Sequence, residues 1–340
     1  MKFIKVALFS ALSLLVLIIA TIIFSVSYWS HLTSTSLGYW TNLVIKNFSS
    51  SPTTSLSLLI LGQDPRSDQI ETSLATDTIL IGRYRPGSFN AISLPRDLWD
   101  ETSSSRINRF YQNSVEAKLT GPQLWSTISQ EYFRVTGVMP QKHLLITTAD
   151  LVNIIKIMGG IDVKLNYDFT DTQYPNPQYI NNPTPATPVY ITVTYKKGIN
   201  HLDESNILPF VRSRKASEDP ALGGTDLGRI ARQQLVISAI SQKIASLSVT
   251  QKIILAADFY RYFHDHMLSS LTDSDLFLLI KRFVSHPQLA FNFCTVPVFP
   301  EDPNGLIYHP PSFGSNAWVY LPLAKDYQAL HQFTATCLNQ

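Results

Sequence analysis

The sequence predicts a mixed α/β (α+β) domain preceded by one transmembrane helix, and three observations carry that expectation. Apolar, β-type runs at Ser57–Leu61, Thr78–Gly82 and Phe89–Leu94 follow one another, with a Pro86-Gly87 turn signal between the last two. Helical patterns then alternate with further short strands. Ahead of all of them, Val6 to Val26 is an apolar run without Gly or Pro.

Composition narrows the class. Of 340 residues, 45% are hydrophobic and 15% charged, against roughly 25% charged in an average soluble protein. A wholly disordered chain is excluded. Fourteen Gly and twenty Pro without a period exclude collagen, coiled-coil and solenoid architectures. The formal charge of +2 is too small for a nucleic-acid partner.

In chain order, Met1–Lys5 is a short tail whose Lys2 and Lys5 precede the apolar run. At about 1.5 Å per residue the run spans roughly 30 Å, a bilayer core. Tyr28 and Trp29 follow, where aromatic side chains favour the interface. Residues 6–28 are therefore read as a single-pass anchor, with the N-terminus cytoplasmic and everything after Trp29 outside the cell membrane. A cleaved signal peptide needs an apolar stretch of only about 7–15 residues; Ser25-Val26-Ser27 is a weak cleavage site. Residues 1–29 hold two lysines and no acid, so the exported part is neutral overall and any charge function there is local.

Residues 29–55, rich in Ser and Thr, read as a stalk that has room for some helix. If the next three strands form an antiparallel meander, Asp64, Asp77, Arg96 and Asp97 share one rim of the sheet. The connection from Pro65 to Thr76 is long for a hairpin, as functional connections often are. Residues 122–135 look helical. Thr147-x-x-Asp150 is a capping box before a helix, Leu151 to Met158, which Gly159-Gly160 stops. Ile161–Leu165 alternates as a half-buried strand. Tyr174–Pro188 holds five prolines and reads as an extended surface loop; Val189–Tyr195 resumes strand character.

The densest polar cluster is Arg212-Ser-Arg214-Lys215, then Asp226-Leu-Gly-Arg229-Ile-Ala-Arg232-Gln233-Gln234. Thr225 or Asp226 caps a helix running to about Ala245, with Arg229, Arg232 and Gln233 at i, i+3 and i+4 on one face. Leu227, Ile230, Ile237 and Ile240 can line a core-facing stripe. Residues 246–340 carry no charge cluster and complete or flank the same domain. Arginine forks match phosphate oxygens, and a helix start already favours anions. Such a group facing two carboxylates suits a pyrophosphate with Mg²⁺. The alternative is that these arginines make surface ion pairs with Glu218, Asp219 and Asp226. Cys294 and Cys337 are either a disulfide, as an oxidising compartment permits, or two unrelated buried thiols.

The order of motifs LLILGQD-x-R (Leu58 to Arg66), TDT (Thr76 to Thr78), SLPRD (Ser93 to Asp97), RIN-x-x-Y (Arg106 to Tyr111), MGGIDV (Met158 to Val163) and FVRSRK…D-x-G-R-x-x-RQQ (Phe210 to Gln234) resembles the LytR–CpsA–Psr family of cell-envelope proteins over roughly residues 56–245. The resemblance implies a three-layer α-β-α domain with a central mixed, largely antiparallel sheet and a pocket for a polyisoprenyl chain. The activity it implies is Mg²⁺-dependent phosphotransfer of a glycopolymer (teichoic acid or capsule) from a polyisoprenyl-pyrophosphate carrier to a peptidoglycan sugar hydroxyl. Asp64 and Asp77 match metal-associated carboxylates. Arg66, Arg96, Arg212, Arg214, Arg229, Arg232 and Gln233 are the pyrophosphate candidates, Asp226 matches an orienting acid, and Asp77, Arg212, Arg214, Asp226 and Arg229 form the catalytic set. Two positions depart from the family pattern. Ala75 stands where Arg is usual, with Arg66 or Arg83 as substitutes, and Asn153 stands where Asp is common. A non-catalytic envelope regulator and a lipid pyrophosphatase are the competing functions.

Overall fold

The computed structural model describes residues 23–48, 55–65, 74–85, 87–213, 226–285, 290–314 and 317–340. The chain divides into two compact units: Thr53–Leu247, His266–Leu271 and His286–Gln340 form the larger, and Met1–Pro52, Ser248–Asp265 and Thr272–Ser285 the smaller.

The larger unit is built on a six-stranded sheet of β1 (Leu56–Gln63), β2 (Thr76–Arg85), β3 (Ser88–Ser93), β4 (Lys142–Thr147), β5 (Leu268–Ser269) and β6 (Ala290–Thr295), in the order β5-β4-β1-β2-β3-β6. The predicted meander β1-β2-β3 is present and antiparallel. β4 adds parallel to β1 and β6 parallel to β3, so the sheet is mixed. Alternation along each strand sends side chains to opposite faces. Leu59, Leu61, Ile79, Ile81 and Ile92 are buried on one face against α1 (Gly121–Thr136), through Leu124, Ile128 and Tyr132, and against Leu330 and Leu338 near the C-terminus. On the other face Ile60, Gly62 and Leu80 look into a cavity closed by α2 (Thr148–Ile157) and α3 (Asp226–Ser246). Three layers result.

Local signals set the helix limits. The capping box at α2 is complete: Thr147 Oγ1 accepts from the Asp150 amide at 3.1 Å and the Thr147 amide donates to Asp150 Oδ2 at 2.7 Å. Gly137 ends α1 in the left-handed region at φ 70°, where glycine carries no Cβ penalty. The C-terminal helix α4 (Gln328–Asn339) is joined to β6 by a disulfide between Cys337 and Cys294, which resolves the alternative left open by the sequence.

The proline-rich segment differs from expectation. Tyr174 and Pro175 end a strand, Phe169–Pro175, that pairs with Tyr190–Tyr195, and Pro177–Asn181 is a helical turn. Asn176 caps that turn by accepting from the Gln178 amide at 3.0 Å. Pro177 stands where a missing N–H costs nothing, so proline here starts a helix instead of preventing regular structure.

The smaller unit contains the helices Leu37–Phe48, Val249–His266 and Asp273–Ser285. Trp40, Leu43 and Tyr260 are buried together, with Val26, Trp29, Leu276 and Phe277 packed around them. The helix for which the stalk segment had room is Leu37–Phe48, and it is packed through Trp40 and Leu43. Most of the predicted anchor, together with the cytoplasmic tail, lies outside the described residues. Among the described residues no helix is long and apolar enough to cross a membrane.

Candidate active site

β1 ends at Gln63-Asp64 and β2 begins at Thr76-Asp77, so the antiparallel pairing brings both acids to one rim. Gly62 opposes Thr78 but Gln63 opposes Thr76, which leaves Asp77 as the extra residue of a β-bulge. Without the bulge, Asp77 would share the parity of Ile79 and Ile81 and point into the core. With it, Asp77 joins Thr78 and Leu80 at the cavity. Gly62 is fixed by the same crowding, because a Cβ there would lie 2.8 Å from the Thr78 Cβ.

The arginines arrive from three places. Arg96, just past β3, donates to Asp77 Oδ1 at 2.5 Å. Its neighbour Asp97 lies 3.6 Å from Arg106 Nε and 3.5 Å from Arg96 Nε. Arg212, at the end of the helix Ile207–Arg212, is ion-paired with Asp64 and donates to Thr148 Oγ1 at 3.1 Å. Arg229, on the first turn of α3, donates to the Asp77 carbonyl at 3.0 Å and lies 3.9 Å from Asp77 Oδ2. Gln233, one turn on, accepts from Thr78 Oγ1 at 3.1 Å. The structure thus gathers Asp64, Asp77, Arg96, Arg212, Arg229 and Gln233 around one rim.

All of these except Arg96 line one cavity of about 1090 Å³ counting its open mouth. Its walls change character in one direction. β1 read backwards from Asp64 reaches Ile60, β2 read forwards from Asp77 reaches Leu80, and α3 passes from Arg229 and Gln233 to Val236, Ile237 and Ile240. From Arg229 to Ile240 the helix rises about 16 Å. A charged end and an apolar length of that size accommodate an anionic head with a hydrocarbon tail. Each arginine already holds a carboxylate, so an incoming diphosphate competes for these forks unless a cation takes over the acids. Charge-assisted bonds of this kind contribute about 1.5–3 kcal/mol each. Asp64 and Asp77 both line this cavity at its charged end. Among the described residues no group of three or more His, Cys, Asp or Glu converges. Two carboxylates fit Mg²⁺, which usually keeps water and substrate phosphate as its remaining ligands.

Arg232 requires a correction. It was expected at the pyrophosphate with Arg229, but it does not line this cavity. It is 1% exposed; its Nε donates to the Phe210 carbonyl at 2.9 Å, Nη2 donates to the Ser213 carbonyl, and the guanidinium lies 4.5 Å from the Phe169 ring centre. Three residues advance a helix by 300°, so Arg232 is displaced from the Arg229–Gln233 stripe toward the Phe169 strand. Arg83 does not replace the arginine absent at Ala75. It donates to Asn339 Oδ1 at 2.8 Å, and six strand residues place it about 20 Å along β2 from Asp77. The Asn153 amide donates to the Ala149 carbonyl on its own helix at 3.0 Å. Arg66, Arg214 and the side chain of Asp226 lie outside the described residues. Sequence reasoning missed Gln63, Thr148 and Gln234 as lining residues. The Thr147-Thr148 pair was readable only as a helix start, yet its second hydroxyl positions Arg212.

Comparison with solved structures shows the fold shared. Bacillus subtilis TagV matches with a TM-score of 0.57 and 18% identity, over 85% of this chain and 99% of that one. A structure described as TagT bound to LIIa-WTA matches at 0.56 and 16%, over 85% and 92%. An Enterococcus faecalis protein described as a transcriptional regulator matches at 0.56 and 18%, over 84% and 88%. No curated protein sequence matches the chain. The LytR_cpsA_psr family model matches residues 31–315, a span that includes every residue of the site described above, and the chain belongs to that family.

Proposed function

We propose that this protein is a membrane-anchored transferase that moves a cell-wall glycopolymer from a polyisoprenyl-diphosphate carrier to a peptidoglycan sugar hydroxyl. The observation that carries the reading is the single cavity that is arginine- and carboxylate-lined at one end and aliphatic along its length. Arg96, Arg212 and Arg229 bind the diphosphate, and Gln233 and Thr148 orient these groups. Asp64 and Asp77 hold Mg²⁺, which when bound neutralises phosphate charge. The acceptor hydroxyl oxygen bonds to the phosphorus bearing the glycan. The bridging P–O bond breaks, lipid phosphate leaves with the electron pair, and the hydroxyl proton passes to a carboxylate of the cluster. Positioning and neutralisation of the leaving phosphate by fixed guanidinium groups supply most of the rate. Anchoring through residues 6–28 places this chemistry outside the cell membrane, and the Cys294–Cys337 disulfide supports an oxidising compartment.

Ala75, where the resemblance to the family leads to the expectation of arginine, favours a second reading in which the pocket binds the lipid diphosphate without transferring it. Incubating the full chain with lipid-linked donor, with and without glycan acceptor, separates the readings. Acceptor-dependent release of lipid phosphate, abolished in Arg212→Ala and Asp77→Asn, is the expected result. Release without acceptor identifies a pyrophosphatase, and binding without release identifies the regulator. Unchanged turnover in both variants removes the cavity from the reaction.

A further inference from the structure

The serine of Arg212-Ser-Arg214 does not line the cavity, yet every polar group it carries is engaged. Its amide donates to the Pro209 carbonyl at 3.1 Å, its carbonyl accepts from Arg232 Nη2, and its hydroxyl donates to Asp171 Oδ2. Ser213 and Asp171 are both buried. The other Asp171 oxygen accepts from the Gln173 amide at 2.8 Å, so the carboxylate is fixed on its own strand before it receives the serine. A hydroxyl on a carboxylate makes a charge-assisted bond, the stronger class. The helix Ile207–Arg212, which Ser213 follows, has six residues and no side-chain cap at its start; a helix this short takes its position from its neighbours. Those neighbours belong to the same hairpin as Asp171. Tyr195 Oη donates to the Asn206 carbonyl at 2.6 Å, the Tyr195 ring stands edge-on to Phe210 with ring centres 5.0 Å apart, and Phe169 packs against Tyr195 at 5.7 Å. The paired strands Phe169–Pro175 and Tyr190–Tyr195 thus grip this segment at Asn206, Phe210 and Ser213. From the last helical position, Arg212 reaches Asp64 and Thr148 at the charged end of the cavity.

We propose that Asp171 and Ser213 are positioning residues for Arg212: the buried carboxylate, by taking the serine hydroxyl, fixes the helix end from which the guanidinium reaches the diphosphate. The proposal rests on the reading of Arg212 as a diphosphate ligand and assigns a role to the residue between the two arginines of its motif. Ser213→Ala leaves Asp171 one donor short in a buried place, and water restores that bond only if the chain moves. A guanidinium carried about 1 Å out of place by such a movement loses the alignment on which binding and transfer depend.

The test measures binding, which does not depend on transfer. The full chain in detergent is titrated with farnesyl diphosphate and with farnesol, which shares the tail and lacks the phosphates. Ser213→Ala and Asp171→Ala should each weaken farnesyl diphosphate about tenfold or more, the contribution of one charge-assisted bond, and leave farnesol within about twofold. Asp171→Asn keeps an oxygen acceptor in the same shape and should recover most of the loss. In an Arg212→Ala background, Ser213→Ala should cost no more than about twofold further, because a residue acting through Arg212 then has nothing left to position. Unchanged diphosphate affinity in Ser213→Ala overturns the proposal. So does an equal loss for farnesol, which means that the whole cavity has loosened, and so does an undiminished loss on top of Arg212→Ala, which means that Ser213 acts elsewhere. Should the alanine variants not fold, Ser213→Cys, similar in shape with a weaker donor, takes their place in the same comparison. If the wild-type chain binds no farnesyl diphosphate, the diphosphate reading of the cavity falls, and hydrogen exchange decides the positioning. Exchange across residues 207–213 should then rise about tenfold or more in Ser213→Ala, and unchanged exchange overturns the proposal.

Discussion

Arg229 and Arg232 sit three residues apart on α3 and do unlike work. Arg232 carries its charge into a site from which water is excluded and holds the carbonyls of Phe210 and Ser213, the chain just before and after Arg212. Arg232→Ala removes both donors and is expected to destabilise the larger unit by about 3–5 kcal/mol, read as a lower urea midpoint. Lys should rescue little of this, since a point charge does not reproduce the planar fork. Arg229→Gln should move the midpoint far less while lowering transfer, because its contacts are to Asp77 at the cavity. A midpoint equally sensitive to both would show that the two arginines share a structural role. His143 gives a pH signature of its own. Burial first, and Lys142 second, push its imidazole down to about 4. Neutral His143 sits between Ser129 at 2.5 Å and Ser270 at 3.1 Å, stacked on Trp125. In the unfolded chain histidine titrates near 6.5. Between these values the unfolded state binds the extra proton, so stability falls as pH drops from about 6.5 to 4, by at most about 3 kcal/mol. His143→Gln should flatten that part of the stability curve; an unchanged slope would assign acid sensitivity elsewhere.

The elements differ in how far their neighbours in sequence determine them. β1, β2 and β3 were readable because apolar alternation and the Pro86-Gly87 turn are local, and the capping box of α2 because it is written within four residues. Thr147→Ala should therefore cost about 1 kcal/mol, and because Thr147 and Thr148 line the cavity, the same change should weaken donor binding. An intact midpoint would show that Asp150 alone holds the helix start. The bulge at Asp77 was not readable. It arises from a register shift between two strands, and nothing in Thr76-Asp77-Thr78 distinguishes it from regular pairing. The rim of acids was nonetheless expected correctly, since strand direction alone brings the ends together; only the bulge explains why Asp77 points outward. β6 was hidden for a related reason. It pairs parallel to β3 across some two hundred residues, and no turn signal marks a partner so distant. Arg232 could not be separated from Arg229 by spacing, because i+3 and i+4 both belong to a helical face until the packing of a particular neighbour selects between them.

At the scale of the whole molecule, the sheet divides labour between its faces. One face carries the aliphatic and aromatic core under α1 and α4, and the other borders the open cavity. An element bordering so much open volume contributes fewer buried contacts, so the closed face must supply most of the stability. The Cys294–Cys337 bond belongs to that closed face, tying edge strand β6 to α4 across a sequence separation of 43. Restricting a loop of this size in the unfolded chain is worth about 4 kcal/mol on chain-entropy grounds. No residue of α4 lines the cavity. Replacing both cysteines with serine should therefore lower the unfolding free energy of the larger unit by up to about 4 kcal/mol while leaving the Kd for a polyprenyl diphosphate unchanged at temperatures where the variant remains folded. A midpoint shift below about 1 kcal/mol would mean that packing of Leu330 and Leu338 already fixes the helix. A Kd that weakens in step with stability would mean that the sheet transmits strain from its closed face to its open one, and the two faces would then have to be treated as a single energetic unit.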